Sequence, residues 1–175
     1  MNWALKSTAK WWTEQDRRYG KTGFNDESLN YMLSNTIGRW SMCEVGSGTG
    51  RLINNLWGRR GAVDINKYLL EQVDVDVKKY HLNIAKKPVP DKYELVFSYQ
   101  VMQHLNHEEF LAALNNIKKF ATEEVWLLEG FVGNVMDGDR THGTGSYWHD
   151  YEKYLDCYQT AVLHDGAIRV FKAKV

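Results

Sequence analysis

Proline and cysteine are nearly missing from this sequence, and so is any excess of charge. The 175 residues include two prolines, Pro88 and Pro90, and two cysteines, Cys43 and Cys157. Two such distant cysteines give neither a disulfide framework nor paired metal-ligand spacing, so a reduced, cytoplasmic protein is expected. Lysine plus arginine number 22 and aspartate plus glutamate 22, with a pI near 7.0. No global field therefore draws the chain to nucleic acid or to an anionic membrane. No apolar run approaches the roughly 20 residues that span a bilayer. The segment Met1-Asn2-Trp3-Ala4-Leu5-Lys6 lacks the basic-then-apolar layout of a signal peptide. Internal repeats and low-complexity stretches are absent too. What these absences leave is one ordinary globular domain.

Aromatic residues are abundant, at 13% with seven tryptophans. They gather at the two ends, Trp3, Trp11, Trp12 and Tyr19 in one group and Tyr147, Trp148, Tyr151, Tyr154 and Tyr158 in the other. Two readings are open: aromatics that enlarge a small core, or aromatics that line a pocket. Between the ends, strand and helix patterns alternate. Residues 1–38 read as amphipathic helices broken at Gly20-Lys21-Thr22-Gly23, with Asn25 or Asp26 capping a helix that carries Leu29, Met32 and Leu33. Trp40–Val45 reads as a buried strand, and Leu52, Ile53, Leu56 and Trp57 follow at helical spacing. Gly61–Asp64 is a second strand, followed by a helix from Tyr68, Leu69 and Gln72. Tyr80–Ile84 and Tyr93–Ser98 are the next two strands, separated by the Pro88-Val89-Pro90 turn. Phe110, Leu114, Ile117 and Ala121 make a helical stripe, Glu124–Glu129 a fifth strand, and Tyr147–Cys157 a further helix. Thr160–Leu163 and Ile168–Ala173 flank Asp165-Gly166, a dipeptide that favours a type I′ hairpin turn. Alternation of this kind implies a parallel sheet with right-handed crossovers, to which the terminal hairpin adds an antiparallel edge.

One element carries chemistry. A strand runs into Gly46-Ser47-Gly48-Thr49-Gly50 and then into helical spacing. Glycines there permit a tight turn and close approach of a ligand, and a helix start presents free N–H groups. An acid at the end of the second strand, Asp64, stands where a carboxylate accepts both hydroxyls of a ribose.

Glu44-Val45-Gly46-Ser47-Gly48-Thr49-Gly50 resembles the first motif of class I S-adenosylmethionine (SAM)-dependent methyltransferases. Dinucleotide-binding proteins instead show G-x-G-x-x-G, and here the third glycine comes one residue early. The resemblance continues through Ala62-Val63-Asp64, through Tyr93–Ser98 and through Val101-Met102-Gln103-His104-Leu105, and covers roughly Trp40 to Val175. It implies a Rossmann-like α/β three-layer sandwich with a mostly parallel seven-stranded sheet. It also implies SAM as cofactor, held by Glu44, Gly46, Ser47, Gly48, Gly50, Asp64 and Ile65, with Asn83 and Ile84 at the adenine and Ser98 and Tyr99 nearer the methyl. Many members place an aspartate where this chain has Asn83, whose amide oxygen can still accept the adenine amino group's bond. Glu94 stands in place of the commoner aspartate of the fourth strand and reads as a structural charge.

Methyl transfer is an in-line displacement at an already activated carbon, so the protein must align a nucleophile and, where needed, take its proton. Tyr99, Gln100 and His104 follow the fourth strand and should border the methyl; His104 is a base or a pocket wall. Nucleic-acid amino methyltransferases carry Asn/Asp-Pro-Pro-Tyr/Phe here, which this chain lacks. Substrate contacts are expected from Trp11, Tyr19 and Tyr31 at the N-terminal end, from Gln100, and from Arg140, His142 and His149 in or after a second glycine-rich loop, Gly130–Gly145. That loop reads as a lid or as an ordinary solvated loop. Asp137, Asp139, His142 and His149 match no standard ligand spacing, so no metal is expected. The expectation is one methyltransferase domain: a helical cap over 1–38, a SAM-binding core over 39–130, a substrate-side loop and helix over 131–157, and a hairpin over 158–175. The reaction expected moves a methyl to an O or N of a small polar metabolite. Its alternatives are a protein-amine methyltransferase and a SAM-binding module without transfer activity.

Overall fold

The computed structural model describes residues 27–130 and 147–175. Helix α1 (Glu27–Asn35) leads into β1 (Ser41–Val45), and β2 (Arg59–Asp64), the short α2 (Lys67–Leu70), β3 (Lys78–His81) and β4 (Tyr93–Tyr99) follow. After these come α3 (His107–Phe120), β5 (Ala121–Gly130), the single turn α4 (Tyr151–Tyr154), β6 (Cys157–Leu163) and β7 (Ile168–Lys174). The seven strands form one sheet in the order β3-β2-β1-β4-β5-β7-β6. β1, β2, β3, β4 and β5 pair in parallel, whereas β7 lies antiparallel to both β5 and β6. This is the mostly parallel Rossmann-like sheet with an antiparallel hairpin that the alternation implied.

Strand periodicity sorts side chains onto two faces. Cys43, Val45, Val96, Val125 and Leu127 pack with Phe110, Ile117 and Phe120 of α3 on one face. Met42, Leu95, Phe97, Trp126, Leu128 and Val170 pack with Met32 of α1 and with Leu52 and Ile53 on the other. Each fully buried side chain of this size contributes about 1.5–3 kcal/mol, so the central strands, covered on both sides, are the most firmly fixed part of the molecule. α3 is capped by a reciprocal box in which Asn106 accepts from Glu109 N at 2.9 Å and Glu109 accepts from Asn106 N at 3.2 Å. Glu108 and Glu109 in its first turn and Lys118 and Lys119 in its last complement the helix dipole.

Several boundaries differ from the sequence reading. The helix expected after the glycine loop is a single 3₁₀ turn, Ile53–Asn55. Two asparagines account for this, because their side chains bond nearby backbone in competition with a helical ladder. Asn55 Nδ2 donates to Arg51 O at 2.9 Å, and Asn54 Oδ1 accepts from Asp74 N at 3.2 Å. Leu52, Ile53 and Leu56 are buried as expected, but Trp57 is 82% exposed and Trp40, placed in the first strand, is 79% exposed. β3 lies two residues earlier than expected, and α2 is one turn. The helix expected over Tyr147–Cys157 is one turn with β6 starting at Cys157. Backbone there is held extended by tertiary bonds: Tyr147 N donates to Gln103 O at 2.6 Å, and His149 stacks on Phe110. The hairpin loop has four residues, His164 to Ala167, with Leu163 paired to Ile168, rather than a two-residue turn at Asp165-Gly166. His164 and Asp165 take the left-handed conformation, both at φ 53°. Glu94 does serve structure, accepting from Trp40 N at 2.8 Å.

Candidate cofactor and methyl-transfer site

The carboxyl ends of β1, β2, β4 and β5 converge at one edge of the sheet. β1 ends at Val45, and the chain turns through Gly46 (φ 70°), Gly48 (φ 55°) and Gly50 (φ 85°). Gly46 N and Ser47 N both donate to Val63 O, at 2.7 and 3.0 Å, which ties the loop to the end of β2. Gly48 N donates to Asp64 Oδ2 at 2.9 Å, and Asn66 N donates to Asp64 Oδ1 at 2.7 Å. A Cβ on Gly46 would collide with the Val101 isopropyl group, whereas a Cβ on Gly48 would meet nothing within 4 Å. The two glycines therefore answer different demands: Gly46 admits a neighbouring loop, and Gly48 leaves open space above the backbone.

Four features of this loop fit the amino-acid and ribose ends of SAM. Glu44 is 3% exposed, and its Oε2 accepts from Ile53 N at 3.1 Å. Burial pushes its carboxyl up to about 8, against the pull of the Ile53 N–H and the Arg51 guanidinium. Such a group gains most from a cationic ligand, because a nearby positive charge restores its ionised form. Burial also raises Asp64 above the usual carboxylate range, with the Asn66 and Gly48 N–H bonds opposing it. The Ile65 N–H bonds the same carboxylate, which leaves one of its four acceptor positions for a ligand. Ser47 is 5% exposed with its hydroxyl unpaired among the described residues. Ile65, 38% exposed, presents apolar surface beside Asp64. Asn83 and Ile84 lie further along: Asn83 Oδ1 accepts from Ala85 N at 2.9 Å, and the buried Ile84 gives its carbonyl to Asn116 Nδ2 at 2.8 Å.

The other wall follows β4. Ser98 is fully buried, and its hydroxyl donates to Glu129 Oε1 at 2.7 Å, so its side chain faces the core. Tyr99 is half-buried with the Arg51 guanidinium 5.0 Å from its ring, which links this wall to the glycine loop. Gln100 takes φ 54°, a conformation that costs a non-glycine residue about 1 kcal/mol or more, and its N–H donates to Leu128 O at 2.8 Å. A 3₁₀ turn, Met102–His104, then brings His104 back with Gln103 Nε2 3.5 Å from its Nε2.

The structure joins Glu44, Gly46, Ser47, Gly48, Gly50 and Asp64 in one loop system, with Tyr99 reaching it through Arg51. Tyr31 and His149 stand apart from it. Tyr31 packs over the β5–β7 pair with the Lys172 ammonium 5.1 Å from its ring, and burial raises its hydroxyl to about 12. His149 is 6% exposed, stacked on Phe110 at 4.1 Å, with its Nε2 3.0 Å from Leu105 O. Trp11, Tyr19, Arg140 and His142 lie outside the described residues, as do Asp137 and Asp139 of the metal question. Among the described residues no cluster of three histidines, cysteines or acids forms a metal site, and no helix is long and apolar enough to cross a membrane.

Glu129 escaped the sequence reading. It is 0% exposed and accepts from Ser98 Oγ, from Val101 N at 3.3 Å and from Gln103 N at 3.5 Å. Burial raises its carboxyl to about 7 against those donors. A signal was present: an acid in step with Val125 and Leu127 on an otherwise apolar strand must point inward.

Residues 43–127 match the methyltransferase domain family. Those 85 of the 175 residues are similar to a methyltransferase domain. Solved structures agree in fold. A magnesium protoporphyrin IX methyltransferase from Synechocystis, with bound S-adenosylhomocysteine (SAH), is 16% identical with a TM-score of 0.72 over 97% of this chain and 95% of that one. A TehB-like SAM-dependent methyltransferase from Corynebacterium glutamicum is 13% identical, TM-score 0.68, over 95% and 98%. One from Clostridium acetobutylicum is 11% identical, TM-score 0.69, over 94% and 98%. No curated protein sequence matches the chain. This methyltransferase is an enzyme and uses SAM as its methyl donor.

Proposed function

We propose that the enzyme transfers a methyl group to an oxygen or nitrogen of a small polar metabolite and releases SAH. One observation carries the reading: the loop that holds the buried Glu44 carboxylate and the open face of Gly48 meets the segment after β4, with Val101 against Gly46 and the Arg51 guanidinium over the Tyr99 ring. Bound SAM supplies a sulfonium-activated methyl, so the chain's own residues mainly bind and align. Glu44 neutralises the ammonium of the amino-acid end, and Ser47 offers it a hydroxyl. Asp64 accepts the ribose hydroxyls, Ile65 covers one face of the adenine, and Asn83 and Ile84 border its edge. Tyr99 and Gln100 flank the methyl, and His104 takes the acceptor's proton, a task that suits an imidazole near neutrality. The small-molecule acceptor draws support from the neutral net charge and from the Synechocystis neighbour, which is named for a small-molecule substrate.

The experiment follows SAH release over a library of small hydroxy and amino compounds, with wild type and His104→Asn side by side. At least one acceptor should raise SAH release above the background, and His104→Asn should slow that turnover about 10²-fold while SAM affinity stays near wild type. Turnover by His104→Asn at the wild-type rate would make the residue pocket wall. SAH release with no dependence on any small acceptor would overturn the substrate class.

A further inference from the structure

The turn after β4 buries Met102 and follows Gln100, which is held in a left-handed conformation. What fixes it is polar and comes from the next strand. Glu129 Oε1 accepts from Ser98 Oγ at 2.7 Å and from Val101 N at 3.3 Å, and Oε2 accepts from Gln103 N at 3.5 Å. With the Met102 N–H also bonding it, this fully buried carboxylate gathers the turn's backbone donors into one network in which each bond is strengthened by the low local dielectric. The same turn touches three things. Val101 fills the space above Gly46, the Gln103 side chain lies against Gly130, and Gln103 O accepts from Tyr147 N at 2.6 Å. Arg51, on the opposite loop, stacks on Tyr99 just before the turn.

We infer that Glu129 is a positioning residue of the methyl transfer: its carboxylate sets the Val101–Gln103 turn, and through it the place of Gln100 and His104 beside the methyl. The role rests on the methyltransferase reading of the site, but it concerns a residue that binds neither cofactor nor acceptor. Glutamine has the same shape as glutamate and presents an NH₂ where the turn presents N–H, so one or more of the backbone bonds are lost. Aspartate keeps the charge but is one methylene shorter, which lets it reach Ser98 and not the turn.

The test compares wild type, Glu129→Gln, Glu129→Asp and Ser98→Ala by amide hydrogen exchange, by the ring signals of ¹³C-labelled histidine, and by calorimetric titration with SAH. In Glu129→Gln the amides of Val101 and Gln103 should exchange at least about 30-fold faster than in wild type, while those of β1 and β5 change little. The His104 ring signals should shift or broaden, and the dissociation constant for SAH should stay within about threefold. Ser98→Ala should leave the turn protected. Should Glu129→Gln fail to fold, Glu129→Asp gives the same reading, with the turn deprotected and the strands intact. Wild-type protection of Val101 and Gln103 in a folded Glu129 variant would overturn the inference. So would a loss of protection spread evenly over the sheet, which would mark a core residue only. Failure of wild type to bind SAH would count against the cofactor site and leave the exchange result to stand separately.

Discussion

Two buried carboxylates close the two loops at the carboxyl edge of the sheet, and they do so differently. Glu44, at the end of β1, holds one backbone N–H and has its carboxyl pushed up to about 8. Glu129, at the end of β5, holds a hydroxyl and the backbone N–H groups of Val101, Met102 and Gln103, and burial raises it to about 7. A buried acid with few internal donors is costly unless something else arrives to pair with it. On the proposed reading Glu44 meets an incoming cation, whereas Glu129 is bonded from within and holds the turn after β4 in place. The cofactor wall is underfilled and the acceptor wall is braced. That contrast distinguishes residues that bind from residues that hold other residues in place.

The comparison can be broken most severely at the seam between the two loops. Gly46→Val places a branched side chain against Val101 at φ 70°, so both strain and overlap oppose it. A loss of about 3 kcal/mol or more is expected, with SAM binding abolished, as read by thermal melting and calorimetry. Gly48→Ala has the opposite signature. Its Cβ has open space in the free protein, so stability should fall by only about 1 kcal/mol, while SAM affinity falls further because that space is where the ligand approaches.

The acids sharpen the comparison through pH. Both Glu44 and Glu129 have folded values raised above the unfolded carboxylate range, so the native state holds more protons than the unfolded one between about pH 4.5 and 8. Their contribution to stability is present below that window and lost as pH rises through it. Without ligand, denaturant midpoints should fall across pH 5 to 8 by an amount worth on the order of a few kcal/mol. Addition of SAM should offset part of that fall, since an ammonium beside Glu44 favours its ionised form. Calorimetric titration at pH 7 in two buffers of different ionisation enthalpy should then show proton release on SAM binding, and Glu44→Gln should abolish it. Equal apparent enthalpies in both buffers for wild type would argue against Glu44 as the ammonium partner. The smallest effect is expected at Ser98. Ser98→Ala removes the one side-chain donor to Glu129 among the described residues and should cost about 1 kcal/mol of stability with SAM affinity unchanged.

That the loop proposed to hold the cofactor comes together was legible in the sequence because its parts are local. Glu44, the three glycines and Asp64 fall within 21 residues, and strand-glycine-acid order dictates their meeting. The acceptor wall was legible only as a position after the fourth strand. Glu129 lies 26–31 residues from its donors, so its contacts depend on the parallel register of β4 and β5, in which Ser98 pairs with Leu127. The left-handed Gln100 has no residue-type signal at all. Helical spacing misled at Trp57 because Asn54 and Asn55 divert the backbone, and at Tyr147–Cys157 because an extended segment carrying His149 packs on α3. Tertiary bonds overrode local periodicity in both places.

The most direct test of the account is titration of SAM and of NAD into wild type and Asp64→Ala at pH 7. The account predicts one site per chain for SAM, no measurable NAD binding, and a loss of about 1–3 kcal/mol in SAM binding when Asp64 is removed. Unchanged SAM affinity in Asp64→Ala, or tighter binding of NAD than of SAM by wild type, would contradict it.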